Sequence, residues 1–185
     1  MGVLSQLRAF AAVMPKARRN RTDLAGWLVR RPQLLAATSC YEIALVTSAR
    51  VPARFKALAE LKAASLVTCE YCIDIGSALA QAEGITESQL LALPSYRTSD
   101  EFTATEKLVL ELAESMTRIP TVVSDELRAR LRREFSRAQL AELAAAIAWE
   151  NNRGRLNQAL GVRSSGFSEG MVCAVPESAS NADAH

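Results

Sequence analysis

Apolar residues recur at every third or fourth position over most of the chain, which is the period of a helix with one buried face. The run QLLAATSCYEIALVTS over 33–48 shows this clearly, because Leu34, Ala37, Tyr41 and Leu45 fall on one side of a helix. No segment alternates apolar and polar residues for long enough to predict a strand. The expected fold class is therefore all-α, a single-domain helical bundle. Further helices are expected over 55–67, 68–83, 87–93, 103–119, 124–133 and 136–160.

Turn and capping signals divide these helices. Thr103 and Glu106 have the spacing of a capping box, in which each side chain bonds the backbone N–H of the other residue, and Ser136 and Gln139 repeat it. Pro120 ends the helix between them. The predicted organisation is a basic N-terminal arm over 1–31, a helical domain over 32–163 and a C-terminal tail over 164–185.

The composition agrees with one globular helical domain and limits the classes of function. Of 185 residues, 49% are hydrophobic and 23% charged, while glycine (8) and proline (6) are sparse. The net charge is +2, and the basic arm lacks interleaved aromatic residues, which indicates a solvated or subunit-contacting arm rather than a nucleic-acid site. No run reaches the ~18 apolar residues of a membrane span, and no signal peptide is recognised. We expect a cytoplasmic protein that binds neither nucleic acid nor membrane.

Candidate chemistry lies in the stretch TCEYC, where Cys69 and Cys72 are three residues apart. Residues at this spacing share a helix face, so the two thiols can reach each other. Thr68 is the expected N-cap, which would place Cys69 in the first turn, where the positive end of the helix dipole lowers a thiol pKa. A thiolate there can attack a peroxide or a disulfide, and the second thiol can resolve the product.

Two other roles are compatible with this spacing. A zinc site needs two more Cys or His ligands, but the only histidine is His185 and both Cys40 and Cys173 are isolated, so no metal is expected. The pair can also be two small apolar residues of a core, as free cysteines often are. Cys40 is expected in the core, next to Tyr41, and Cys173 in a segment that can fold back over the site.

The chain resembles the carboxymuconolactone decarboxylase family, in particular its alkylhydroperoxidase (AhpD-like) branch. The matching blocks, within 52–161, are LAELKAASLVTCEYC, AEGIT, FTATEKLVLELAESM and VSDELRARLRREFSRAQLAELAAAIAWENNRGRLNQALG. The resemblance implies an AhpD-like helical fold, oligomers assembled by helix packing, and peroxide-reducing or thiol-disulfide activity. In peroxidase members the second cysteine is oxidised, which would make Cys72 peroxidatic and Cys69 resolving. The helix-terminus argument favours Cys69 as the more acidic thiol, so the order stays open.

Two positions depart from the family pattern. The family's histidine, four residues after the second cysteine, is Gly76 here, and its glutamate, twelve residues before the first cysteine, is Ala57. The histidine relays protons to the thiol, or acts on the lactone acid in the decarboxylase, so the decarboxylase reaction loses its main catalytic residue. A proton relay at the thiols must be built from other groups.

Two residues near the pair are candidates for this relay, and a third is not. Glu60 is the nearest upstream carboxylate, although an acid flanked by lysines is often a solvated pairing partner. Tyr71 can donate its O–H to a bound peroxide, or be buried with its hydroxyl satisfied. Asp74 lies two residues after Cys72 and off the cysteine face, where capping or pairing is its expected role.

The long C-terminal helix carries one further candidate. Its apolar row is interrupted by Glu150, and Arg153 and Asn157 continue the same line. A buried carboxylate needs a partner, so one interpretation is a structural salt bridge or an intersubunit polar network. In the other, Glu150 faces the cysteines and exchanges protons with the reacting thiol.

The leading functional hypothesis is a thiol-dependent peroxidase-type oxidoreductase that reduces hydroperoxides through Cys69 and Cys72, without a metal or organic cofactor. The resemblance suggests a dithiol or lipoyl-type protein as the reductant, and a homo-oligomer that is a trimer, a multiple of a trimer, or a dimer. One alternative is a carboxymuconolactone decarboxylase-like lyase acting on a lactone acid. Another is a non-catalytic helical oligomer whose cysteines have lost their task along with the histidine.

Overall fold

The computed structural model of the chain describes residues 3–16 and 24–177. Within these residues the regular elements are helices and no strand occurs, which confirms the all-α prediction. The helices are α1 (Val3–Val13), α2 (Leu24–Leu28), α3 (Pro32–Thr47), α4 (Ala53–Val67), α5 (Glu70–Ala82), α6 (Glu87–Ala92), α7 (Ala104–Thr117), α8 (Asp125–Glu134) and α9 (Arg137–Ala159). None of the described helices combines the length and the apolar character needed to cross a lipid bilayer.

Helix α4 is the centre of the bundle, because it buries residues on several sides and packs against α5, α7 and α9. One face, with Leu58 and Leu61, joins a core shared with α5, α6 and the buried Tyr96. Another face, with Ala59 and Ala63, joins a core shared with α7, α8 and α9. Small alanine side chains let neighbouring helices approach closely, so the residues that follow α4 are held in the middle of the fold.

The turn between α4 and α5 differs from the predicted one. Thr68, expected as the N-cap of the cysteine helix, closes α4 instead, with a left-handed backbone (φ 56°) whose N–H bonds Ala64 O and Ser65 O. The N-cap of α5 is Cys69, whose sulfur accepts a hydrogen bond from the Cys72 N–H at 3.3 Å. The prediction for Thr68 was wrong because the two helices are joined by only two residues, and the first of them is needed to end α4.

The N-terminal region over 1–31 is helical where it is described, and it folds onto the bundle. Helix α1 packs on α5 and α3, and Val13 is buried against Ala78 and Phe167. The stretch 17–23, which holds three arginines of the predicted arm, lies outside the described residues. Helix α1 therefore forms one wall of the space beside α5.

Helix α3 lies on the outside of the bundle, which overturns the prediction for Cys40. None of its residues is buried, and Leu34 and Ile43 are 53% and 62% exposed. Cys40, expected in the core, is exposed, because the apolar row of α3 is not covered by the rest of the chain. Tyr41 stacks on Trp149 with the ring centroids 4.2 Å apart, and this contact attaches α3 to α9.

The C-terminal segment folds back over α5, and Asp74 holds it there. Asp74 Oδ2 accepts backbone N–H bonds from Ser165 at 2.9 Å, Gly166 at 2.7 Å and Phe167 at 3.1 Å. Its Oδ1 accepts the N–H of Ser168 at 2.8 Å. Burial disfavours the charged carboxylate, but hydrogen bonds from the hydroxyls of Ser168 and Ser164, together with those from the backbone, outweigh burial and lower the pKa of Asp74. Asp74, for which capping or pairing was predicted, instead binds the backbone and hydroxyl groups of the C-terminal segment from within α5.

The same segment is anchored to α4 further along. Ser65 Oγ donates to Val175 O at 2.7 Å, and the Glu177 N–H donates to Ser65 O at 3.2 Å. The fully buried Lys62 pairs its ammonium with the Glu177 carboxylate, which supplies the partner that a buried charge needs. Residues 164–177 are therefore part of the folded structure, while 178–185 lie outside the described residues.

Asp74→Asn is expected to lower the free energy of unfolding by about 2–4 kcal/mol at neutral pH, because the new amide group turns a donor toward backbone N–H groups. The folded-state pKa is depressed, so the contribution of Asp74 is complete above the ordinary aspartate pKa of about 3.9. It decreases as the pH falls through the lower folded-state pKa. Denaturant unfolding of both proteins from neutral to acidic pH measures the difference.

The matched control is Asp125→Asn, because Asp125 is 91% exposed in an ion pair with Arg128. Its effect should stay below about 0.5 kcal/mol. Equal stability of the wild type and Asp74→Asn at neutral pH would contradict the anchoring role of Asp74.

Candidate functional site

Cys69 and Cys72 are free thiols, both buried where α9 packs against α4 and α5. The Asn157 amide of α9 donates to both sulfur atoms, at 3.8 Å to Cys69 Sγ and 3.5 Å to Cys72 Sγ. Gly154 permits this approach, since a Cβ added there would lie 3.0 Å from Val67 Cγ1 and 3.5 Å from Cys69 Cβ. The fold thus brings the two thiols together under one polar side chain.

The two thiols have opposite pKa shifts. The hydrogen bond from the Cys72 thiol contributes most to lowering the pKa of Cys69, and the Cys72 N–H and the Asn157 amide add to it against the effect of burial. The same thiol–thiol hydrogen bond, burial and the charge of Glu150 raise the pKa of Cys72. Cys69 is therefore the more acidic thiol of the reduced pair, and Cys72 donates the hydrogen bond between them. The direction agrees with the helix-terminus argument, although Cys69 is the N-cap rather than a first-turn residue.

Cys72 lines a cavity of about 540 Å³ that α1, α3, α4, α5 and α9 enclose. Its wall is largely apolar and includes Phe10 of α1, Ile43 of α3 and Leu61 of α4. Gly76 also lines it, and a Cβ there would lie 3.2 Å from Leu61 Cδ1. At the position where the family has its histidine, Gly76 therefore lets Leu61 approach closely and supplies no proton-exchanging group.

The polar groups of this cavity are concentrated around Arg153. Its guanidinium lies 2.9 Å from Glu42, 3.8 Å from Glu60 and, through Nε, 2.9 Å from Glu150. Burial raises the pKa of Glu60 to about 7; Arg153 opposes this increase, while Glu150 and Glu42 add to it. The cavity therefore contains a carboxyl group that can gain or lose a proton near neutral pH.

Two buried oxygens near the thiols lack a donor. Glu150 Oε1 and Asn157 Oδ1 accept no hydrogen bond from the residues that the structure describes. Both residues line the cavity with Cys72. A buried acceptor without a donor costs roughly 1–3 kcal/mol, so a ligand that carries a hydrogen-bond donor gains stabilisation at this end of the cavity.

Four of the five residues predicted from the sequence line this cavity, namely Glu60, Tyr71, Cys72 and Glu150. The fifth, Cys69, is linked to Cys72 by hydrogen bonding but does not belong to the cavity wall. Tyr71 packs edge-to-face on Phe167 with the ring centroids 5.7 Å apart, so the C-terminal segment fixes its ring. The catalytic roles of these residues stay predictions.

Glu42 is the member of the site that sequence reasoning missed. It accepts hydrogen bonds from Arg153 and, at 2.8 Å, from Trp149 Nε1. The one available signal is its place in the otherwise apolar stretch YEIALV, which indicates an acid that has to find a partner inside the fold. Among the residues that the structure describes, no three His, Cys, Asp or Glu side chains are placed to hold a metal ion.

Comparison of the sequence with known proteins gives one family and two similar relatives. The sequence profile of the carboxymuconolactone decarboxylase family matches residues 32–115. The uncharacterised protein YnjA of Escherichia coli (strain K12) is 34% identical over 122 residues, which is 66% of this chain and 64% of YnjA. The uncharacterised protein YdfG of Bacillus subtilis (strain 168) is 32% identical over 107 residues, which is 57% of this chain and 73% of YdfG. The matched region thus spans just under two thirds of YnjA.

Solved structures share the fold at lower identity and confirm the AhpD-like helical bundle. One is a protein of unknown function from Agrobacterium tumefaciens, suggested to be the antioxidant defence protein AhpD, with TM-score 0.70, 23% identity and coverage of 80% of this chain and 98% of that chain. The debrominase Bmp8 without ligand has TM-score 0.72, 20% identity and coverage of 89% and 87%. A Bmp8 variant in complex with 2,3,4-tribromopyrrole has TM-score 0.69, 21% identity and coverage of 76% and 75%.

The pKa of Glu60 gives a direct test of the charge cluster. Carbon-13 NMR of protein labelled at glutamate carboxyls is expected to show one group that titrates near pH 7. Glu60→Gln should remove this titration, and Glu42→Gln should move it to lower pH, because one neighbouring negative charge is lost. Glu87→Gln, at an exposed first-turn position of α6, is the control and should leave it in place. Persistence of the titration in Glu60→Gln would contradict the assignment.

Proposed function

The chain belongs to the carboxymuconolactone decarboxylase family, and from this premise we propose that it is a thiol-dependent peroxidase that reduces organic hydroperoxides with Cys69 and Cys72. The position of Cys72 is the observation that carries the proposal. Cys72 lines an apolar cavity together with Glu60 and Glu150. The cavity therefore places space for a substrate next to a thiol and next to groups that exchange protons.

Peroxide reduction takes two steps in this proposal. In the first, Cys72 gives its proton to Glu150, and its sulfur attacks the terminal oxygen of the hydroperoxide. The O–O bond breaks, the alkoxide leaves as the alcohol with that proton, and Cys72 becomes a sulfenic acid. In the second, the Cys69 thiolate attacks Cys72 Sγ and displaces hydroxide, which takes a proton from Glu60 and leaves as water. The disulfide that forms accounts for the two electrons passed to the peroxide.

The order of the two cysteines follows from position and acidity together. Cys72 faces the cavity where a hydroperoxide can bind, and this supports its oxidation first. Cys69, whose pKa the hydrogen bonds from Cys72 and Asn157 lower, is available as a thiolate to resolve the sulfenic acid. The acidity of Cys69 and the oxidation of Cys72 are thus compatible, because they serve different steps.

The charge cluster supplies the proton relay that Gly76 cannot. The raised pKa of Cys72 makes its reaction dependent on a base. Glu150 is buried close enough for its charge to act on that thiol, and Arg153 links it to Glu60. Arg153 stays protonated and holds the two carboxylates together without carrying a proton. With a pKa of about 7, Glu60 exchanges protons with solvent at neutral pH and supplies the proton that the displaced hydroxide takes up.

The cavity favours a neutral and largely apolar hydroperoxide. Its volume of about 540 Å³ and apolar wall suit an organic group much larger than hydrogen peroxide. Three carboxylates share the single guanidinium of Arg153, while Lys56 pairs with Glu142 at 3.0 Å. This excess of negative charge disfavours an anionic ligand. It argues against the lactone acid of the decarboxylase alternative, in addition to the glycine at position 76.

The reductant and the assembly are further parts of the proposal. The disulfide has to be reduced by an external dithiol, for which a dithiol or lipoyl-type protein is the candidate. A homo-oligomer is supported by the exposed apolar side chains of α3, such as Leu34 and Ile43. A second copy of the chain is the partner we propose for this face.

One equivalent of cumene hydroperoxide is expected to convert both reduced thiols to a Cys69–Cys72 disulfide, which alkylation and peptide mass spectrometry detect. Cys72→Ser should abolish the reaction, and Cys69→Ser should stop at a sulfenic acid that dimedone captures, because the resolving thiol is absent. Cumene hydroperoxide should react about tenfold or more faster than hydrogen peroxide, since burial of its phenyl group contributes ~1.5–3 kcal/mol.

Cys173→Ser is the matched control for loss of a thiol, and it should react like the wild type. Two unmodified thiols in the wild-type protein after excess cumene hydroperoxide would refute the peroxidase proposal and favour the non-catalytic helical oligomer.

Reductive debromination is a second candidate, which the size and the apolar wall of the cavity favour. The debrominase Bmp8 has the same fold, and the N–H of a pyrrole could donate to Glu150 Oε1, which lacks a donor among the described residues. Two thiols would convert one C–Br bond to C–H, releasing bromide and a proton as the disulfide forms. Bromide release from 2,3,4-tribromopyrrole that is lost in Cys72→Ser would support this candidate, and no release would eliminate it.

A further inference from the structure

The two cysteines face different cavities. Cys72 belongs to the wall of the apolar cavity of about 540 Å³. Cys69 belongs to the wall of a second cavity, of about 470 Å³, at the turn between α4 and α5. None of the residues that line the second cavity lines the first. The two cysteines of the pair therefore line two separate spaces, Cys72 the apolar cavity and Cys69 the second one.

The second cavity is built by three separate parts of the chain. The α4–α5 turn contributes Thr68, the end of α9 contributes Gln158, and the C-terminal segment contributes Pro176. Gln158 Nε2 bonds Val67 O and, at 3.2 Å, Thr68 Oγ1, which holds α9 to the turn. The cavity is thus defined by hydrogen bonds across the fold rather than by a single loop.

The rim of the second cavity is exposed and charged. Glu70 and Arg163 form an ion pair at 3.1 Å with side chains 56% and 72% exposed, and Gln158 is also exposed. By contrast, Phe10 of α1 and Ile43 of α3 are part of the wall of the cavity at Cys72. The rim at Cys69 thus offers polar and charged contacts to a partner, whereas the cavity at Cys72 presents a largely apolar wall.

We propose that the second cavity admits the thiol of a dithiol reductant to Cys69, so that the peroxide and the reductant use opposite sides of the disulfide. This inference rests on the proposed function, which supplies the disulfide in each turnover. The two half-reactions then do not compete for one entrance, and a bound alcohol product need not leave before reduction begins.

The exchange is balanced in two steps. A thiolate of the reductant attacks Cys69 Sγ, the Cys69–Cys72 bond breaks, and Cys72 leaves and takes up a proton from Glu60, which solvent then reprotonates. The second thiol of the reductant then attacks the reductant's first sulfur, which is bonded to Cys69 in the mixed disulfide, and Cys69 leaves as a thiolate. The reductant becomes a disulfide, and two electrons pass to the protein. A thiol of lower pKa leaves faster, so release of Cys69 suits the second step.

The two half-reactions can be measured separately. Diamide is used to form the Cys69–Cys72 disulfide without any peroxide, and its reduction by dihydrolipoamide or by reduced thioredoxin is followed by quenching and alkylation. Oxidation of the reduced protein by cumene hydroperoxide is followed in the same way. Failure of the oxidation alone would refute the proposed function, whereas the reduction tests the entrance at Cys69.

Bulky substitutions at each cavity provide matched variants. In Gln158→Trp, and in Arg163→Trp at a more exposed position, the ratio of the reduction rate to the oxidation rate should fall at least tenfold. In Ile43→Trp, at the wall of the other cavity, the ratio should rise. Equal ratios in wild type and Arg163→Trp, or a lower ratio in Ile43→Trp, would overturn the inference. A ratio that falls with thioredoxin but not with dihydrolipoamide would assign the rim to a protein dithiol.

Trapping identifies the sulfur that is attacked. In Cys72→Ser the disulfide of a monothiol, such as cystamine, should attach to Cys69 and stay attached, because neither Cys72 nor a second thiol on the probe is present to release it. In Cys69→Ser the attachment to Cys72 should be at least tenfold slower. Cystamine and intact-mass spectrometry provide the measurement, and faster attachment to Cys72 would contradict the proposed entrance.

Discussion

The pairing of Arg153 is the interaction on which the site depends. A guanidinium withdrawn from water requires charged partners, and Arg153 has them on three helices, with Glu42 on α3, Glu60 on α4 and Glu150 on α9. Because α3 has no buried residue, polar and aromatic contacts attach it, and they include this ion pair, the hydrogen bond from Trp149 to Glu42 and the stacking of Tyr41 on Trp149. The ion pairs of Arg153 therefore both hold α3 in the wall of the cavity and bring the three carboxylates together.

The turn between α4 and α5 makes two similar thiols unequal. Thr68 takes the left-handed conformation that ends α4, and this leaves Cys69 to cap α5 with its sulfur. Cys72, one turn later, is then placed to donate to that sulfur, which lowers the pKa of the first cysteine and raises the pKa of the second. The two-residue turn between α4 and α5 thus gives the two thiols opposite pKa shifts.

Local pattern predicted the parts of this structure that neighbouring residues determine. The helices, the capping boxes at Thr103 and Ser136 and the meeting of the two thiols all follow from spacing along the chain. Features that arise from distant packing were not predictable in this way. Cys40 was misplaced because an apolar row looks the same whether the chain covers it or leaves it outside.

The sequence showed that the family's histidine and glutamate are absent, at Gly76 and Ala57, but it did not show which residues replace them. Glu60 lies one helical turn after Ala57 on the same face of α4, and both line the cavity. Glu42 reaches that cavity from a helix that local sequence gave no reason to place beside α9. Only the packing of α3, α4 and α9 shows that these acids form one cluster with Arg153.

Gly154 determines how closely α9 can pack against Val67 and Cys69. A single methyl group there would press on Val67 Cγ1 at 3.0 Å, and any outward movement of α9 would carry Asn157 with it. The amide of Asn157 already reaches the sulfurs at 3.5 and 3.8 Å, so a displacement of a few tenths of an ångström would weaken both contacts. The pKa of Cys69 thus depends on how closely α9 approaches the α4–α5 turn, and the absence of a side chain at Gly154 sets that distance.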